Sequence, residues 1–97
     1  MRPVKKLEII IDSLEVNTVT DMLDTAGVSG YTIMRDAIGK GERGMQRGDG
    51  LTNVFSNAII ITACAPDEAA RIIEMLRPLL HRAGGVCLLS DAAWVEH

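Results

Sequence analysis

The chain has 97 residues, of which 47% are apolar and 24% charged, with a formal net charge of −3. That length holds one domain, and a chain of this size buries somewhat over ~60% of its unfolded-state surface, enough for one modest core. The composition excludes global disorder, and no apolar run approaches the length that spans a bilayer.

A mildly acidic total and a single Phe, Trp and Tyr argue against nucleic acid as a partner and against base-stacking platforms. Met1 to Lys6 leads into an alternating segment rather than a basic stretch followed by an apolar one, so a cytoplasmic address is expected. Cys64 and Cys87 lie far apart in apolar runs, where free cysteine serves as a small core residue.

Val4 to Asp12 alternates Val4, Leu7, Ile9 and Ile11 with charged residues and gains Ile10 on the other face; it reads as a strand. Asp12 or Ser13 can cap a following helix, whose apolar positions Val16, Val19, Met22, Leu23 and Ala26 end at Gly27. Asp21 and Asp24 fall on its polar face. Val28 to Ile38 is expected to be a second strand.

From Gly39 to Gly50 no periodicity survives, and five of the nine glycines fall there with Lys40, Arg43 and Arg47. A loop over 39–53 is expected, flexible in character. Val54 to Ala65 resumes a strand. Pro66, Asp67 and Glu68 suit a helix first turn, and Ala69, Ile72, Ile73, Leu76, Leu79, Leu80 and Ala83 share one helical stripe. Pro78 predicts a kink or a looser last turn. Gly84 and Gly85 close that helix, Val86 to Leu89 reads as a short fourth strand, and 91–97 as a tail whose Trp94 and Val95 can dock on a neighbouring surface.

The order β-α-β, loop, β-α-β implies an α+β ferredoxin-like sandwich over residues 1–97, an antiparallel four-stranded sheet with both helices on one face. Ile10, the run Ile59 to Ile61 and the pair Leu88/Leu89 put apolar groups on both faces of several strands, so the face the helices leave bare is apolar as well. A patch of that kind calls for a partner, and self-association through the sheet is the simplest answer.

Gly39-Lys40-Gly41-Glu42-Arg43-Gly44 matches G-x-G-x-x-G in letters, but a dinucleotide fingerprint must open a helix and no apolar helix face follows, so the match is a weak one. Nor does it end in Gly-Lys-Ser/Thr as a P-loop does. Glycine N–H groups with nearby cations can form an anion-binding nest. Arg35 to Arg47 carries four basic and two acidic residues, a local +2 on an acidic chain. Two readings stand open at this point, a phosphate site and a solvated connection. His81 sits where a cation suits a helix C-terminus, and His97 is terminal. No Ser-His-Asp or Cys-His spacing is apparent, and a hydrolase reading lacks an evident general base, although Glu42 or Asp36 could serve as one.

The segments Lys5-Lys6-Leu7-Glu8-Ile9-Ile10-Ile11, Gly27-Val28-Ser29-Gly30-Tyr31-Thr32 and Gly84-Gly85-Val86-Cys87-Leu88-Leu89-Ser90 resemble the PII signalling family. The resemblance covers nearly the whole chain. Gly39 to Gly44 followed by Val54-Phe55-Ser56-Asn57 is more similar to the PII-like proteins tied to bicarbonate transport and carboxysomes. The resemblance implies a homotrimer with adenine nucleotides in the clefts between subunits, and a T-loop that signals to a target protein such as a membrane transporter.

By position, Thr32 would face the base or sugar, and Ile10 and Ala63 would line the adenine pocket. Gly39, Lys40, Gly41 and Arg43 would approach the phosphates, with Gly84 and Gly85 from the facing subunit. Arg47 joins them on charge alone. No resident cofactor or metal is expected, and the protein is expected to be a regulator rather than an enzyme, with bicarbonate as a co-ligand.

Departures from the main branch narrow the expectation. Val86 stands where the main branch has a lysine, and Trp94 to His97 carries no counterpart of its two later arginines. ADP or AMP should therefore bind at least as well as ATP. Gly44 replaces a glutamine and the loop lacks tyrosine, which speaks against 2-oxoglutarate sensing and uridylylation. The alternatives are a small acyl-phosphate or nucleotide hydrolase on the same scaffold, and a purely structural assembly module.

Overall fold

The computed structural model describes residues 1–40 and 54–97. Four strands and two helices follow in the order β1 (Arg2–Asp12), α1 (Val16–Ala26), β2 (Thr32–Lys40), β3 (Val54–Cys64), α2 (Pro66–Ala83) and β4 (Val86–Trp94). The sheet is ordered β2-β3-β1-β4 with every neighbouring pair antiparallel. This is the expected ferredoxin-like sandwich.

The core lies between the sheet and the helices. Leu7, Ile9, Ile11, Ala58 and Ile60 point to the helix side and pack with Val16, Val19 and Leu23 of α1 and Ile72, Leu76 and Leu79 of α2, all at most 2% exposed. Alternation along β1 and β3 and the i, i+3, i+4 spacing of the helices account for this one-sided burial.

The ends of the elements follow local chemistry. Asp12 accepts from the N–H of Leu14 at 2.9 Å and caps a short 3-10 turn, Ser13–Glu15, that precedes α1. Gly27 ends α1 at φ 81°, and its N–H and that of Val28 close on Leu23 and Asp24. Arg71 of α2 donates to the Ala26 carbonyl at 3.1 Å, covering another free helix-end acceptor. In α2, Pro66 occupies the first turn, and the Glu68 carboxylate accepts from the Ala65 N–H at 3.0 Å. Pro78 lies inside α2, which continues to Ala83.

Three expectations change. Val28 to Tyr31 is a turn rather than the start of β2, because Thr62 of β3 donates to the Gly30 carbonyl at 2.7 Å and holds the segment off the ladder. Gly39 and Lys40, assigned to the loop, pair with Phe55 and Val54 at the end of β2. The strand expected to stop at Leu89 runs on to Trp94, so 91–94 is not tail. Cross-strand pairs with β1 extend it: Lys5 forms an ion pair with Asp91, and the Arg2 guanidinium lies 5.9 Å from the Trp94 ring centroid.

One irregularity stands near the base of the 39–53 segment. Between Met34 and Ala37 the β2–β3 register shifts. Arg35 and Asp36 oppose the single residue Ala58, and Asp36 adopts φ 61°. This is a β-bulge with a non-glycine residue in the left-handed region.

Candidate functional site

The sheet face away from the helices carries the apolar groups that the alternation predicted. Directly opposed residues of antiparallel strands share a face. One cross-sheet row is therefore Met34, Ile59, Ile10 and Val86, and the next is Thr32, Ile61, Glu8 and Leu88. Met34 is 43% exposed, Val86 45% and Leu88 53%. Lys6 and Glu8 form a 3.0 Å ion pair on this face.

The expected site residues occupy two regions of it. Ile10 lies between Ile59 and Val86, close to the C-terminal end of β1 and two pairs from its last residue, Asp12. Gly39 and Lys40 lie beyond it on the β2–β3 hairpin. Thr32 opposes Ile61 and Ala63 opposes Lys6 towards the other end. Ile59 and Ala63 are four positions apart, about 13 Å along the strand. Ala63 also borders a cleft of about 260 Å³ closed by Arg2, Val4, Ser29, Glu68 and Trp94. Gly41, Arg43 and Arg47 lie outside the described residues.

Gly84 and Gly85 each have a structural reason to be glycine. Gly84 terminates α2 at φ 71° and bonds to the Leu80 carbonyl. At Gly85 a Cβ would stand 3.0 Å from Ile11 Cγ1, 3.0 Å from Leu80 Cδ2 and 3.2 Å from the Ile10 carbonyl oxygen. That closeness brings the start of β4 against Ile10, so the glycine pair and Ile10 share one corner of the sheet.

Sequence reasoning passed over Asn57. It pairs with Asp12 on one side and Ala37 on the other, is 4% exposed, and its Oδ1 has no hydrogen-bond partner among the described residues. A buried amide is an unusual choice beside four successive apolar residues, Ala58 to Ile61. That was the available signal.

Among the described residues no three His, Cys, Asp or Glu side chains converge as a metal site, and no helix is long and apolar enough to cross a membrane.

Several solved structures share this architecture. CPII, a nitrogen regulatory PII-like protein from Thiomonas intermedia solved with ADP, AMP and bicarbonate, is 32% identical. The match covers 98% of this chain and 96% of that one, with a TM-score of 0.83. The same protein bound to ADP and bicarbonate matches at 34% identity over 97% of this chain and 90% of that one, TM-score 0.82. A PII-like signalling protein from Thermus thermophilus shares the fold at 23% identity, 97% and 91% coverage and a TM-score of 0.77. No curated protein sequence matches the chain. Residues 4–96 match the family described as nitrogen regulatory protein P-II; with the fold and this coverage, the chain belongs to that family.

Proposed function

We propose that the protein is a regulatory nucleotide sensor. It assembles as a homotrimer through the open sheet face, binds ADP, AMP or ATP in the clefts between subunits, and passes energy or inorganic-carbon status to a partner protein through residues 41–53. The observation that carries this reading is CPII, solved with ADP, AMP and bicarbonate and matched over nearly its entire length.

The apolar rows of the sheet supply the physical motive for assembly. Met34, Val86 and Leu88 on one face of a small chain are stable in water chiefly when a second surface covers them. Thr32, Ile10, Ala63, Gly84 and Gly85 form the described part of the nucleotide site, with Gly39 and Lys40 leading to the cationic residues Arg43 and Arg47. Thr32 and Ala63 lie apart from Ile10 and the glycine pair within one chain, so contributions from two subunits would complete the cleft.

P-II proteins are generally regulators rather than enzymes. Ligand binding would act by shifting the population of loop states, limited by the difference in affinity for them. Bicarbonate is the proposed co-ligand, a membrane transporter or carboxysome-related protein the proposed target, and the cytoplasm the proposed compartment.

Calorimetric titration with AMP, ADP and ATP, with and without bicarbonate, tests the reading. Binding of ADP or AMP at least as tight as ATP is expected. A folded protein that gives no heat with any adenine nucleotide would sink it.

A further inference from the structure

Asn57 lies at the rim of the open face, where the apolar row Met34, Ile59, Ile10 and Val86 gives way to the row Ala37, Asn57 and Asp12. Its carboxamide is buried and its Oδ1 unpartnered among the described residues. A buried acceptor in that state carries a desolvation cost that a donor would relieve.

The neighbouring Gly39 shows where a ligand group can approach the carboxamide. Its φ is not positive, so it is not glycine for conformational reasons. A Cβ there would stand 3.2 Å from Asn57 Nδ2. The missing side chain leaves a notch beside the carboxamide, and the cross-strand residue Ala37 is also small. A half-turn about the terminal torsion exchanges the oxygen and the NH₂, so either can face the notch.

The charge around the notch selects among ligand groups. Asp12, directly across on β1, disfavours an anion at this position. A neutral group that both donates and accepts fits best. The adjoining apolar row containing Ile10 and Ile59 lies two residues along the strand, about 7 Å, a step comparable with that from a purine ring to its sugar.

We infer that Asn57 reads the ribose hydroxyls of the bound nucleotide, with Gly39 kept small to admit the sugar. This rests on the adenine-nucleotide reading above. The base would cover the Ile10 and Ile59 row, the sugar diol would enter the notch, and the phosphates would continue towards Lys40.

The test is calorimetric titration of the wild-type protein and the Asn57→Ala variant with ADP, 2′-deoxy-ADP and 3′-deoxy-ADP. Loss of at least one hydroxyl should weaken binding to the wild type about tenfold, the scale of one buried hydrogen bond. Asn57→Ala should weaken ADP binding by a similar factor and then bind all three ligands alike. Equal binding of the three ligands to the wild type overturns the inference without needing a variant. So does a folded variant that keeps the wild-type preference. A folded wild type that ignores ADP altogether overturns the nucleotide reading itself, and the inference with it.

Discussion

Leu88→Lys is the sharpest test of the assembly through the sheet. Leu88 is 53% exposed in the single chain and shares its face with Ile61 and Val86. Full burial of a leucine is worth about 1.5–3 kcal/mol, so covering the exposed half contributes on the order of 1 kcal/mol per subunit. Three copies lost from a trimer come to about 3 kcal/mol, or roughly a hundredfold in the association equilibrium.

Burying an ammonium adds a penalty of several kcal/mol per ion, less whatever its side chain recovers by reaching solvent. The single chain should tolerate the change, because residue 88 opposes Glu8 and a lysine there gains a cross-strand carboxylate. Sedimentation velocity at micromolar concentration should show a trimer for the wild type and smaller species for the variant, with unchanged far-UV circular dichroism. A variant that sediments as the wild type does would refute the assignment of this face to the interface.

Two further predictions concern stability. Gly85→Ala places a methyl group 3.0 Å from Ile11 and Leu80 and should cost about 1–3 kcal/mol by overpacking, read as a lower urea midpoint with an unchanged slope. Burial pushes the thiols of Cys64 and Cys87 above their ordinary value near 9, with Glu68 and Asp67 adding to the effect at Cys64. The unfolded chain then releases these protons at lower pH than the folded one, so their contribution is full below about pH 9 and falls as pH rises beyond it. Urea midpoints at pH 8 and 10 should show that loss, and it should shrink in a Cys64→Ala/Cys87→Ala variant; equal losses would refute the attribution.

Much of the fold was written locally. Leu7, Ile9 and Ile11 at a spacing of two, the α2 stripe from Ala69 to Ala83, and Gly27 and Gly84 at the helix ends are short-range patterns that one element satisfies by itself. The end of β4 was not legible this way. Ser90 to Trp94 has no strong alternation, and it becomes a strand because Arg2 to Lys6 stands beside it. The bulge at Arg35 and Asp36 was hidden too, since an extra residue in one strand has meaning only against its partner.

The candidate site divides along the same line. Residue types and their order carried the family resemblance, and with it Ile10, Thr32, Ala63 and the glycine pair. Their grouping into two regions of one sheet face depends on strand register, which couples residues about fifty positions apart. The significance of Asn57 is likewise tertiary, because an amide is unremarkable in a sequence until three strands bury it. The net charge of −3 and the 47% apolar content established a small globular chain rich in aliphatic groups. Alternation already implied an apolar face left bare by the helices; the folded sheet decided which residues meet there, putting Met34, Ile59, Ile10 and Val86 in one row, because strand register is set between segments far apart in the chain.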